Sequence, residues 1–164
     1  MVEPLGDYFE RLKLNYRDYP KIVPVKVAVH ASEKRCRMFR VDSKYLAAVP
    51  VHAAGTGSVL AGYHSAAHRI PAEYIVQEEV DCVTLMELLE THRIRALDLL
   101  QIDAEGYDAE IVRMIDFAAI RPALIKYEHL HLAARDAADV KRILTDNGYR
   151  LIREKMDTIA VLRS

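Results

Sequence analysis

The sequence predicts an α/β fold with a mainly parallel sheet, and two observations support this prediction. From residue 80 onward, strand-like and helix-like patterns alternate, and the last two strand-like segments are separated only by a short polar turn. Alternating strands and helices favour parallel strands with helices on both faces of the sheet, whereas strands joined by a tight turn form an antiparallel hairpin. The 164 residues suffice for one core. We therefore expect a single domain over residues 1–164 with a C-terminal antiparallel hairpin near one edge.

The first part of the chain predicts one helix and three strands. Val2-Glu3-Pro4 is typical of the end of a strand, because proline cannot continue a ladder. Apolar residues from Tyr8 to Tyr16 have helical spacing. The β-branched run Val25–Val29 and the apolar segment Cys36–Val41 predict two further strands.

Residues 43–72 have no sustained period. This stretch, Ser43–Ala72, is rich in glycine, proline, alanine and histidine, and we expect a long loop that is either a functional lid or disordered. His64 and His68 have the spacing of a helical metal pair, but they lack the glutamate of the zinc-protease motif. We therefore predict no metal site in this loop.

The later elements follow from helical or alternating apolar patterns. Tyr74–Val83 predicts a strand, and Thr84 with Glu87 has the spacing of a capping box at the start of a helix, Leu85–His92. The elements that follow are a strand over Ala96–Ile102, a helix over Glu105–Asp116, a strand over Pro122–Tyr127, a helix over Asp136–Asn147, and strands over Tyr149–Arg153 and Thr158–Leu162.

Composition excludes several classes of protein. Apolar residues make up 51% and charged residues 29% of the chain, and the net charge is -1, so a nucleic acid is not a favoured partner. No apolar run approaches the roughly 18 residues of a membrane helix, and the N-terminus has no signal-peptide pattern. We expect a cytoplasmic protein in which Cys36 and Cys82 are buried free thiols, although a disulfide between them stays open.

Polar side chains follow three of the predicted strands. They are Glu3, then Asp103 with Glu105 before Gly106, then Glu128 with His129 and His131. Ligands of open α/β sheets bind at the carboxyl ends of the strands, so these residues are the candidate site. Each acid could instead simply favour a helix N-terminus.

Several chemistries fit these residues. Asp103 and Glu105 could orient the positive centre of a cofactor, bind a metal, or take a proton from a hydroxyl group. His129 could act as a general base near neutral pH. His129 and His131 could join Asp103 around a metal, but no ligand spacing in the chain is diagnostic of one.

Three segments in the second half form a recognisable set: Val80-Asp81-Cys82-Val83-Thr84-Leu85, then Leu97 to Asp108 with its Ile-Asp-Ala-Glu-Gly block, then Pro122 to Glu128. They resemble the FkbM family of S-adenosylmethionine-dependent methyltransferases. Val2-Glu3-Pro4 and the helix after it are similar to the family's second strand and following helix, and Ala28-Val29 with Gly-Thr-Gly-Ser fits the strand and loop that come next. Gln101 stands where the family usually has lysine.

The resemblance implies a Rossmann-like methyltransferase sheet, S-adenosylmethionine as cofactor, and methylation of a small-molecule or sugar hydroxyl. Its implied site residues are catalytic Asp103, Glu105 and His129; cofactor-binding Glu3, Ala28, Val29 and Asp103; and substrate-binding Glu128, His129 and His131. Glu3 matches the acid that holds the cofactor ribose. Asp103 and Glu105 would lie beside the methionine part and the acceptor.

One departure from the family concerns its first strand and glycine-rich turn, which should precede Glu3, whereas this sequence starts at Met1. The resemblance therefore implies either an N-terminally incomplete copy or a sheet in which another segment or a second chain fills this place. We expect weak or absent cofactor binding. A catalytically inactive module that binds partners or forms a homo-oligomer through its exposed sheet is one alternative. A nucleotide-binding enzyme with a metal on Asp103 and Glu105 is another.

Overall fold

The computed structural model describes residues 1–163 and has an α/β fold. The chain forms two compact units, which divide between Val83 and Thr84. Each unit contains a four-stranded sheet. No helix among these residues is long and apolar enough to cross a membrane.

The first unit has a sheet in the order β1-β4-β2-β3. Its elements are α1 (Gly6–Asn15), β1 (Ala28–Val29), β2 (Arg35–Val41), a 3-10 helix (Ser43–Ala48), α2 (Val51–Ala54), β3 (Gly57–Ser58), α3 (Tyr63–His68), a 3-10 helix (Ala72–Tyr74) and β4 (Ile75–Val83). β1 runs parallel to β4, whereas β2 is antiparallel to both β4 and β3. Val2 forms a parallel bridge with Val25. Leu5, Met38 and Val80 are among the buried core residues of this unit.

The segment predicted as a long loop, Ser43–Ala72, is instead largely structured. Its helices have only three to six residues, too few for a repeating apolar pattern to be visible in the sequence. They are fixed by packing, because Ala53 and Ile70 are buried with Val41 and the Tyr45 and Tyr74 rings stack at 3.9 Å. Short helices therefore replace the predicted loop over most of this segment, whereas its role as a lid stays a prediction.

The second unit has a sheet in the order β5-β6-β8-β7. Its elements are α4 (Leu85–Thr91), β5 (Leu99–Gln101), α5 (Asp108–Arg113), β6 (Leu124–Glu128), α6 (Ala134–Asp146), β7 (Tyr149–Glu154) and β8 (Asp157–Leu162). The predicted capping box is confirmed, since Thr84 and Glu87 each accept the backbone N–H of the other. The predicted C-terminal hairpin is also confirmed, as β7 and β8 are antiparallel neighbours.

The expectation of a mainly parallel sheet was wrong. In each unit one pair of strands is parallel, β1 with β4 and β5 with β6, and the other described pairings are antiparallel. In the second unit β8 lies between β6 and β7, so β5, β6 and β7 point in one direction and β8 in the other. Strand–helix alternation predicted the directions of β5 to β7 correctly, but it could not show where β8 would insert.

The two faces of the second sheet differ in burial. Ile125 and Tyr127 of β6 are buried, as is Ala160 of β8, whereas Leu124 is 37% and Leu99 of the edge strand β5 is 49% exposed. Successive strand residues face opposite sides, so one face carries the core and the other does not. The buried residues Val112, Val140 and Leu144 lie on α5 and α6.

Candidate active site

The turn between β5 and α5 carries the first two candidate acids. β5 ends at Gln101 and the buried Ile102 donates its N–H to Lys126 O at 2.8 Å. Glu105 and Gly106 follow with φ of 49° and 95°, a left-handed conformation that glycine adopts freely and other residues rarely. This conformation turns the chain sharply, so that α5 begins at Asp108.

Asp108 connects this turn to the end of the neighbouring strand. The side chain is fully buried, and its Oδ2 accepts the Ala104 N–H at 3.2 Å while its Oδ1 accepts the Glu128 N–H at 3.1 Å. One carboxylate therefore fixes the backbone beside all three candidate acids. The sequence interpretation missed Asp108, because an acid in the first turn of a helix is usually an exposed cap. An acid two residues after the glycine of a strand-to-helix turn was the available signal.

Asp103, Glu105 and Glu128 converge. One carboxylate oxygen from each lies within 4.8 Å of the other two. Glu128 has a side chain only 14% exposed, and its Oε2 is buried with no hydrogen-bond partner among the described residues. The structure thus brings together acids that follow two adjacent parallel strands.

Burial and like charges change the protonation of this cluster. Burial raises the pKa of Glu128 to about 7, and the negative charges of Glu105 and Asp103 add to the effect. Burial also raises the pKa of Asp108 to about 6, although the N–H donors of Glu128 and Ala104 oppose it. A group of acids in this state accepts a proton or a cation near neutral pH.

The two histidines after β6 have different surroundings. His131 Nε2 lies 3.9 Å from Glu128 Oε1, so it borders the acidic cluster. His129 is bound to the C-terminal hairpin through Thr158 and Arg153. Their predicted substrate-binding and catalytic roles stay predictions.

The remaining predicted cofactor residues belong to the first unit. Glu3 Oε1 accepts the Leu5 N–H at 2.8 Å, and burial raises the pKa of this carboxyl, with a smaller contribution from the charge of Glu78. Ala28 and Val29 form β1 beside the carboxyl end of β4. Glu3 directly follows the isolated bridge of Val2, whereas Ala28 and Val29 are the whole of a two-residue strand. Their predicted cofactor-binding roles stay predictions.

Among residues 1–163, Asp103, Glu105 and Glu128 are the only group of three or more histidine, cysteine or acidic side chains close enough to share a metal ion. His129 and His131 are not part of that group, and neither are His64 and His68. Exposed acids form such groups without any metal. The cluster therefore fits a cation as well as it fits a proton.

Comparison with known protein families gives a significant match. The Methyltransferase FkbM domain family matches residues 1–151 of this chain. No curated protein and no solved structure matches significantly. The match spans the turn of Asp103 and Glu105 and the end of β6, as well as Glu3 and β1. Because it covers more than half of the chain, the protein belongs to the FkbM methyltransferase family.

Proposed function

We propose that this chain transfers a methyl group from S-adenosylmethionine to a hydroxyl oxygen of a small molecule or sugar. The observation that carries the proposal is the convergence of the Asp103, Glu105 and Glu128 carboxylates at the ends of two parallel strands. Acids gathered in this way, one of them with a pKa of about 7, are typical of a site that binds a positive charge or handles a proton. Methyl transfer from a sulfonium compound requires both.

The chemistry of these acids fits the cofactor. When bound, S-adenosylmethionine supplies a methyl group on a positively charged sulfur. Asp103 and Glu105 would attract that positive charge, and the charge in turn would relieve the repulsion between the carboxylates. Glu3 would accept hydrogen bonds from the ribose hydroxyls, with Ala28 and Val29 beside the cofactor.

The acceptor side of the site would use the residues after β6. Glu128, His129 and His131 offer hydrogen bonds to a substrate hydroxyl. Methyl transfer by in-line displacement needs little covalent assistance, so positioning the hydroxyl contributes most. A base must take the hydroxyl proton, and Asp103, Glu105 and His129 are the groups that we assign to this chemistry.

A thermal-shift experiment tests the cofactor. S-adenosylmethionine and its demethylated product should each raise the melting temperature in a concentration-dependent way, because a ligand that binds the folded state stabilises it. The shift should need a large excess of ligand, in keeping with the weak cofactor binding expected from the sequence. Magnesium and manganese ions should give no comparable shift. A shift with the metal ions alone would reject this function in favour of a metal-dependent nucleotide enzyme.

Two matched variants tie such a shift to the acidic cluster. Glu105→Gln removes one charge of the cluster without a change in size, and it should abolish most of the shift with S-adenosylmethionine. Glu110→Gln, on α5 outside the cluster, should leave the shift unchanged. Transfer of a labelled methyl group to a panel of sugars and small hydroxyl compounds would then identify the acceptor, and failure of all of them would contradict O-methylation.

A further inference from the structure

The ring of His129 is held by two side chains of the C-terminal hairpin. Thr158 Oγ1 lies 3.0 Å from Nδ1, and Arg153 Nε lies 3.3 Å from Nε2. The backbone N–H of His129 donates to Met156 O at 2.9 Å. Both the ring and the backbone of this residue are thus fixed to β7, β8 and the turn between them.

The register of the sheet explains this arrangement. Tyr127 lies opposite Thr158, and Thr158 lies opposite Arg153, so their side chains form one row across β6, β8 and β7 on the same face. His129 comes two residues after Tyr127, and its ring reaches this row. Tyr127 and Thr158 are each 3% exposed, so the inner part of the row is protected from water.

Donor and acceptor chemistry fixes the protonation of the ring. A guanidinium group only donates hydrogen bonds, so the Nε2 atom that faces Arg153 must carry a lone pair. The ring proton of a neutral imidazole is then on Nδ1 and is donated to Thr158 Oγ1. The Thr158 hydroxyl in turn hydrogen-bonds Tyr127, an effect that lowers the pKa of this tyrosine while burial raises it more strongly.

We propose that Thr158 and Arg153 are positioning residues that hold His129 as the neutral Nδ1–H tautomer, with the lone pair of Nε2 as the proton acceptor for the methyl acceptor's hydroxyl. The role of Nε2 rests on the proposed methyl transfer. The hydrogen bond from Arg153 Nε to His129 Nε2 is exposed to solvent, so a substrate hydroxyl can take the place of the guanidinium at Nε2. Thr158 is buried and its hydroxyl proton is donated to Tyr127, so Oγ1 remains an acceptor for Nδ1–H during this exchange.

The proton and electron balance of the step is simple. The hydroxyl oxygen forms a bond to the methyl carbon, and the carbon–sulfur bond breaks with its electron pair left on sulfur. The hydroxyl proton passes to Nε2, and the resulting imidazolium later releases a proton to solvent. Nδ1–H stays bonded to Thr158 throughout and stabilises the charge that forms on the ring.

Nitrogen NMR of histidine-labelled protein tests the tautomer directly. At mildly alkaline pH, where an ordinary histidine is neutral, His129 should give the pattern of an Nδ1–H imidazole, and its signals are assigned by their loss in His129→Gln. Thr158→Val should shift the ring toward the Nε2–H form, because Nδ1–H would lose its buried acceptor while the exposed Arg153 can move away from Nε2. Thr158→Ser keeps the hydroxyl and should not shift the ring. A mainly Nε2–H ring in the wild type, or no change in Thr158→Val, would overturn the proposal.

Methyl-transfer kinetics test the role of Nε2 separately. Thr158→Val should lower kcat by at least about tenfold with an unchanged KM for S-adenosylmethionine, and Thr158→Ser should retain most of kcat. Equal kcat values in the valine and serine variants would reject the base role. A wild-type chain that transfers no methyl group would overturn the proposed function and this role together, while the tautomer is decided by the spectra alone.

Discussion

Two groups of carboxylates in the second unit differ in how their charges are balanced. In one, Arg113 pairs with Glu110, Asp136 and Asp139 at 2.6, 2.6 and 2.8 Å. In the other, one carboxylate oxygen each from Asp103, Glu105 and Glu128 lies within 4.8 Å of the other two. The consequences for protonation are opposite, since hydrogen bonds from Arg113 lower the pKa of Asp139 whereas burial and neighbouring acids raise that of Glu128 to about 7.

The difference separates acids that stabilise the fold from acids that can perform chemistry. Arg113 satisfies its partners internally, so a ligand has little to add there. The Asp103–Glu105–Glu128 cluster gains most from a molecule that brings a positive charge or a transferable proton. Substitutions in the Asp103–Glu105–Glu128 cluster should therefore change methyl transfer, whereas substitutions in the Arg113 group should change only the free energy of unfolding.

The largest contrast is expected in methyl transfer. Glu105→Gln should lower kcat/KM by roughly 100- to 1,000-fold, because it removes a charge that the proposed function assigns to the reacting centre. Glu110→Gln should change kcat/KM by less than about threefold, since a partly exposed ion pair contributes little. Similar losses in the two variants would show that the contrast between the groups has no functional meaning.

The next effect concerns folding. Asp108→Asn should lower the free energy of unfolding by about 2–3 kcal/mol, because the amide NH₂ would face a buried backbone N–H that the carboxylate now satisfies. Asp116 also accepts a backbone N–H, from Ala118, but it is exposed. Asp116→Asn should therefore cost no more than about 0.5 kcal/mol, as measured by urea denaturation of both variants.

Stability and activity should respond to pH in opposite directions. The folded pKa of Glu128 is raised from 4.5 to about 7, so the folded state binds this proton more tightly than the unfolded state. Stability should thus fall as pH rises between those values, on the order of 1–2 kcal/mol. Methyl transfer should rise over the same interval as the cluster loses its proton.

Glu128→Gln isolates this effect. Relative to the wild type, the variant should become more stable as the pH increases from 4.5 to about 7. The pKa of Asp139 is lowered, so its contribution to fold stability is lost only at lower pH, where that carboxylate becomes protonated. A pH-independent difference between wild type and Glu128→Gln would contradict the raised pKa.

The smallest effect is expected at the balanced group. Arg113→Met keeps the unbranched stem of the side chain but removes the guanidinium group and its ion pairs. The Arg113 side chain is 27% exposed. The free energy of unfolding should decrease by no more than about 1 kcal/mol, with methyl transfer unchanged. High salt should reduce even this difference, because it screens exposed charges. A loss as large as that of Asp108→Asn would show that this group, too, is essential to the fold.

The sequence predicted correctly those elements that depend on residues close together in the chain. The capping box of Thr84 and Glu87 and the hairpin of β7 and β8 depend on neighbouring residues, and both are confirmed. The insertion of β8 between β6 and β7 depends on pairing between distant segments, which periodicity does not encode. The short helices within residues 43–72 depend on tertiary packing for the same reason.

The sequence likewise predicted part of the candidate site, namely the residues that lie at strand ends. The positions of Asp103, Glu105 and Glu128 at strand ends follow from the sequence, and adjacent parallel strands brought them together as expected. The hydrogen bond between Asp108 and the Glu128 N–H and the contacts of His129 with Thr158 and Arg153 were not predicted. These contacts join residues 20 to 29 positions apart, and their geometry exists only in the folded chain.

At position 105, the residue that is best for fold stability differs from the residue that the proposed activity requires. A left-handed conformation costs a residue with a side chain roughly 1–2 kcal/mol relative to glycine, and Glu105 adopts it at φ 49°. Variants selected only for resistance to heat or protease should therefore become enriched in glycine or asparagine at position 105. Variants selected for methyl transfer should retain glutamate despite its cost, so parallel selections from one library would show whether this acid is kept for its chemistry.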